Sequence, residues 1–138
     1  VIGKHFDAVR ALLAGGILES RVYDQVRING TTTVRDNYAV LMFESSDLND
    51  ERYTVQQELE ATARYRFDVR SVATSASGLR MYMDAVRSQL IGAVPAVTDR
   101  TCTAIQLVGG VEEGRPMFDA TANLHYATES FEFWSRRA

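Results

Sequence analysis

The 138-residue chain has one cysteine and two histidines. With Cys102 alone, no disulfide can form within the chain, so the fold does not presuppose an oxidising compartment. His5 and His125 lie far apart and lack partners at metal-ligand spacing, so neither a metal nor a cofactor is expected. No apolar run approaches the ~18 residues of a membrane span, and no charged-then-apolar leader is visible. A product assembled inside a cell, with no membrane partner, is therefore expected. Basic excess is missing as well: the net charge is −3, whereas domains that bind nucleic acid are usually basic. Lysine is nearly absent, since Lys4 stands against fourteen arginines. Arginine makes planar, bidentate contacts suited to protein interfaces, although a GC-rich genome produces the same bias.

The motif search is equally negative. There is no GxxxxGK[ST] phosphate loop, no GxSxG turn, no HExxH and no CxxC. Cys102 with His125 and Asp119 is the one conceivable nucleophilic set. A small hydrophobe at a strand start explains Cys102 more simply. The ThrSerAlaSerGly turn at 74–78 precedes a helix and suits an anion, but helix capping accounts for it. No enzymatic activity is expected.

What remains is an ordinary globular composition, 46% hydrophobic and 24% charged, in a length that suits one domain, residues 1–138. The clearest stretch is 64–91. Tyr65, Phe67 and Val69 alternate with Arg64, Arg66, Asp68 and Arg70, the period of a half-buried strand. Leu79, Tyr82, Met83, Val86 and Leu90 then recur at helical spacing. Ser75 or Ser77 can cap the helix, Arg80, Asp84 and Arg87 can pair along it, and Gly92 and Pro95 stop it.

Elsewhere, Ile2, Phe6, Val9 and Leu13 mark a helix over 2–17, ended by Gly15-Gly16. A strand at 21–28 meets Asn29-Gly30, a strong hairpin signal. The nearly all-apolar 37–43 reads as a strand covered on both faces. A further strand is expected at 103–108. Residues 117–134 alternate at length, with a bulge near 127–130 where Phe131, Phe133 and Trp134 break phase. The sum is an α+β fold: a mixed or antiparallel sheet of four to five strands, two helices on one face, and a long β-hairpin or loop arm. Were the strands at 64–73 and 103–108 parallel neighbours, their crossover would be right-handed.

Two charge features remain. Residues 44–60 hold Glu44, Asp47, Asp50, Glu51, Glu58 and Glu60 against Arg52 alone, a local −5 that leaves the rest of the chain at +2. A long polar segment of this kind, taken as a mobile acidic arm over 44–62, is either a solvated loop or a part that orders against a partner. The row Arg64, Arg66 and Arg70 is either the wet side of a sheet or a contact surface. Together, the row (Arg64, Arg66, Arg70) and the arm (Glu44, Asp47, Asp50, Glu51, Arg52) form the candidate interface. Complementary charges of this sort suit a head-to-tail contact between copies.

The run TyrArgPheAspValArgSerValAlaThrSerAlaSerGlyLeuArgMetTyrMetAspAlaValArgSerGlnLeu resembles the central segment of tail terminator proteins of long-tailed bacteriophages. The early ValTyrAspGlnVal, the buried AsnTyrAlaValLeuMetPhe with its long polar loop, and the late ArgProMetPheAspAlaThrAlaAsnLeuHisTyr agree with that pattern. Asn29-Gly30 departs from it, because the family's first hairpin often carries prolines. The resemblance implies a non-enzymatic virion component at the head–tail junction, assembled in the host cytoplasm. It implies a homo-oligomer, a six-membered ring, that caps the tail tube protein, ends its polymerisation and meets the head-side connector or stopper. DNA would pass through such a ring without sequence-specific contact. The rivals are a head-side connector or neck component and, in another class, a small ligand-binding or enzyme domain built on Cys102 or the turn at 74–78.

Overall fold

The computed structural model describes residues 2–14, 22–23, 28–29, 32–33, 36–43, 47–48, 62–108 and 115–137. In chain order the elements are α1 (Ile2–Leu13), β1 (Val22–Tyr23), β2 (Ile28–Asn29), β3 (Thr32–Thr33), β4 (Tyr38–Phe43), β5 (Asp47–Leu48) and β6 (Thr62–Ala73). They continue with α2 (Ala76–Leu90), β7 (Arg100–Cys102), β8 (Gln106–Val108), β9 (Met117–Asp119) and β10 (Leu124–Arg137). The fold is α+β, as its pattern of periods requires.

The main sheet runs β1-β4-β6-β10-β7, with β5 pairing β6, and β8 and β9 pairing β10, off this path. Among the described residues, β1 and β4 run parallel and the other pairs in this sheet are antiparallel. β2 and β3 form a separate hairpin. Its register pairs Ile28 with Thr33 and Asn29 with Thr32; Gly30 lies outside the described residues.

Tyr65, Phe67 and Val69 of β6 are buried, and their neighbours Arg64, Arg66, Asp68 and Arg70 are half-buried, as the alternation demands. Opposite them, β10 presents Phe133 to Tyr65 and Phe131 to Phe67 in direct register. The rings stack at 5.6 and 5.5 Å between centroids, and Phe43 of β4 stacks on Phe67 at 5.1 Å. Val9 and Leu13 of α1 and Tyr82, Val86 and Leu90 of α2 close over this face, so both helices lie on one side of the sheet. Each fully buried aromatic side chain contributes roughly 1.5–3 kcal/mol through area removed from water.

Helix α2 begins where Ser75, in extended conformation, accepts a hydrogen bond from the Gly78 N–H at 3.1 Å. It ends at Leu90, and two residues on Gly92, with a φ of +82°, carries the chain into the left-handed region that glycine enters without a Cβ penalty. Arg87 does not pair along the helix as expected. Its Nε reaches Glu129 of β10 at 2.6 Å and meets a carboxylate only 3% exposed.

Four other expectations are corrected. The first helix ends at Leu13 and its last turn closes through Ala14 N–H to Arg10 C=O; residues 15–17 lie outside the described set. The strand expected at 103–108 covers only Gln106–Val108, with a separate short strand at Arg100–Cys102, and β8 and β6 are not neighbours, because β10 lies between them. Residues 117–134 are a hairpin. Asp119 Oδ1 accepts from the N–H groups of Thr121 and Ala122, Asn123 adopts φ 55°, and the chain reverses. There is no bulge at 127–130, since β10 pairs with β6 in constant register from His125↔Ala73 to Arg136↔Thr62. Phase appeared to break because the strand buries both faces near its start: Leu124 and Tyr126 pack on one side, Ala127 and Phe131 on the other.

Replacing Phe67 with Ala should cost about 3–5 kcal/mol, as for other large-to-small changes in a core. Ser75→Ala should cost about 1 kcal/mol through the lost cap. Urea unfolding followed by circular dichroism measures both, and the first should exceed the second.

Candidate functional site

The two faces of the sheet differ in kind. One lies beneath the helices. On the other, Tyr38, Val40, Val72 and Leu124 form a small apolar cluster at one end, with Met42 and Tyr126 packed against it. Beside this cluster, Arg70, Asp119, Ala122 and Tyr126 help line a cleft of about 180 Å³. The charged row occupies the rest of β6.

The row is tied to β10 by cross-strand contacts. Arg70 Nε donates to Thr128 Oγ1 at 3.2 Å, and its guanidinium lies 5.2 Å from the Tyr126 ring centroid. Ser130 Oγ donates to Asp68 Oδ1 at 2.5 Å. Arg64 approaches Glu132 at 3.8 Å, a loose pair on half-buried side chains that contributes little by itself. Arg66 stands directly opposite Glu132 in register, and its Nε is shielded from water without a hydrogen bond. The structure thus aligns Arg64, Arg66 and Arg70 on one face, as their spacing required.

Of the acidic arm, Asp47 and Leu48 are described as β5, with Asp47 paired to Arg64 and Leu48 to Ala63. Glu44, Asp50, Glu51 and Arg52 lie outside the described residues. So do Glu58 and Glu60.

The catalytic set conceivable from sequence is not assembled. Cys102 pairs with Ser135 near the far end of β10, whereas His125 stands at its start beside Phe118 and Asp119. Ten residues of extended strand separate those positions by roughly 33 Å. In the 74–78 turn two of the N–H donors are already engaged: Gly78 N–H by Ser75 Oγ, and Thr74 N–H by Asn37 Oδ1 at 3.0 Å. Among the described residues, no group of three or more His, Cys, Asp and Glu side chains could hold a metal ion.

His5 is a surprise. It is fully buried, stacked 4.0 Å from the Tyr65 ring, with Nε2 2.8 Å from Ser135 Oγ. Arg100 donates from Nε to the same oxygen at 2.9 Å and from a terminal nitrogen to the Ser135 carbonyl at 3.0 Å. This polar node fastens α1 to β10 and β7. A signal for it did exist, because His5 stands four residues before Val9 and eight before Leu13, on the buried stripe. Cys102 borders the node. Burial raises its thiol pKa above the ordinary 9.0, and the Ser135 hydrogen bond and the Arg100 charge offset only part of that.

No protein-family profile matches the sequence, and no curated protein sequence matches it. Among solved structures, a chain in the virion of a native gene transfer agent particle superimposes with a TM-score of 0.69 at 15% identity. The match covers 98% of this chain and 96% of that one. The fold is one that a virion particle uses. At such identity the likeness concerns the path of the chain and not individual side chains.

Two outcomes test the node. Ser135→Ala removes the oxygen that His5 and Arg100 share and should cost about 1–3 kcal/mol of unfolding free energy. The folded chain holds the Cys102 proton more tightly than the unfolded chain, so the stability this contributes is intact below 9.0 and is lost as pH rises through the higher folded value. Wild type should therefore lose more stability above that pH than Cys102→Ser does.

Proposed function

We propose that this chain is a structural subunit of a phage-like virion, and specifically a tail terminator: a ring-forming protein that caps the tail tube, ends its polymerisation and joins it to the head-side connector. The observation that carries this is the end-to-end likeness to a chain of a gene transfer agent virion, covering nearly all of both chains. The sequence resemblance described above points the same way and supplies the finer assignment. In this reading the protein acts through its surfaces, as a homo-oligomer of six 15.4 kDa subunits, and performs no catalysis. Its partners are copies of itself, the tail tube protein and the connector. DNA passes through the ring without sequence-specific contact. The arginine row and the acidic arm serve as contact surfaces.

A closed ring suits such a task physically. Every subunit contributes two different patches to two neighbours, so closure satisfies all contacts at once and modest polar interfaces suffice. A cap built this way presents one layer to the tube and another to the connector.

Deleting the gene from a producing strain and imaging the particles tests the assignment. A terminator's loss should give tails of irregular, excessive length. Tails of normal length detached from heads would instead identify a neck component. Unaltered particles would refute both. Native mass spectrometry of the purified chain should show the six-subunit species.

A further inference from the structure

We propose that the cleft beside Arg70 in one subunit receives the outer face of helix α2 of the next subunit, with Met81 seated in the cleft and Asp84 on Arg70. This names the contact between copies that the ring reading above requires, and it rests on that reading. Three observations carry the inference. The first is the size of the cleft. At about 180 Å³ it falls below the roughly 300 Å³ at which small-molecule sites begin, and it suits a single side chain of a partner. Tyr38, Val72, Leu124 and Tyr126 give it apolar walls.

The second observation is charge. Arg70 and Asp119 both line the cleft. Arg70 is engaged by neutral groups, Thr128 Oγ1 and the Tyr126 ring, and Asp119 by the N–H groups of Thr121 and Ala122. The cleft thus presents one charge of each sign beside an aromatic wall. A guanidinium so placed favours an incoming carboxylate.

The third observation is what the chain itself offers. Among the described residues, four acidic side chains are exposed: Asp7, Asp84, Asp99 and Asp119. Asp119 belongs to the cleft. Of the other three, only Asp84 has an exposed large apolar side chain within four residues of it, Met81 at 60% exposure. Arg87, one turn on from Asp84, is held by Glu129, while Arg80 stands exposed one turn before. The outer face of α2 therefore carries a cation, a thioether and a carboxylate in one patch. Helix side chains three or four apart lie about 5–6 Å from one another. The Arg70 guanidinium lies 5.2 Å from the Tyr126 ring centroid, so Asp84 can meet Arg70 while Met81 rests against Tyr126 in a sulfur–aromatic contact. Arg80 is then left to face Asp119. α2 and the cleft belong to opposite faces of the sheet, so no chain can make this contact with itself. Two different patches meet, which makes the contact heterologous and lets it close a ring.

The experiment uses two full-length variants, R70E and D84R. Each alone brings like charges together and should shift from ring to monomer in sedimentation velocity, with a rise of about tenfold or more in dissociation constant. Far-ultraviolet circular dichroism should stay unchanged. Mixed in equal amounts, the two should form rings again with the variants alternating, because every contact then joins opposite charges. The R70E/D84R double variant should form rings by itself for the same reason. Should R70E impair folding, R70Q replaces it, and the expected result is the same weakening without recovery on mixing. M81S should also weaken the ring, whereas S88A, on the same exposed side of α2 one turn further on, should not.

Variants that remain rings would overturn the inference and leave the terminator assignment standing. So would rings lost in each single variant and regained neither on mixing nor in the double variant. A wild-type chain that stays monomeric at high concentration and low salt would overturn the inference and the ring together.

Discussion

The register between β6 and β10 is the constraint from which the rest of the architecture follows. Pairing is continuous from His125↔Ala73 to Arg136↔Thr62. Side chains alternate across a strand, so this one alignment sends Tyr65, Phe67, Phe131 and Phe133 beneath the helices. It sends Arg64, Arg66, Asp68, Ser130 and Glu132 to the opposite side. A slip by one residue would exchange the two sets and bury three guanidinium groups under α1 and α2. The aromatic stacks and the desolvation cost of arginine thus enforce the same alignment from opposite sides of the sheet.

Much of this was legible beforehand, and the reasons are physical. β6 alternates cleanly because one face is dry and the other half-wet. α2 shows a stripe bounded by Ser75 and Gly92. β4 is apolar throughout because it lies between β1 and β6 with both faces covered. Reading failed where that regime changes along a single strand. Near its start β10 buries Leu124 on one side and Ala127 on the other, so period two no longer separates inside from outside. The hairpin at 120–123 escaped notice because Asp119 and Asn123 happen to continue an alternating pattern while supplying the turn chemistry. His5 is polar, yet its spacing from Val9 and Leu13 places it in the core.

The candidate site was legible only as a row. Spacing by two aligned the arginines, but the cross-strand partners Thr128, Ser130 and Glu132 depend on which strand lies beside β6. No local pattern specifies that neighbour. Likewise the node of His5, Ser135 and Arg100 joins residues from opposite ends of the chain, so it exists only once the sheet is closed. Its effect is to bind the first helix to the same end of the sheet at which the acidic segment is rooted. That end is therefore fixed by both termini of the described fold.

The outer side of β10 is shared by β9, β8 and β7 in succession, each only three residues long. A foreign strand seeking to add itself along this margin would find donors and acceptors in brief, discontinuous patches. Endless stacking of one sheet upon the next is discouraged by such a margin, as it is by the short edge strands common in natural proteins. A partner meeting this margin is thereby left to bind through side chains, whose contacts can be counted and completed, and not through a backbone ladder that has no natural stopping point.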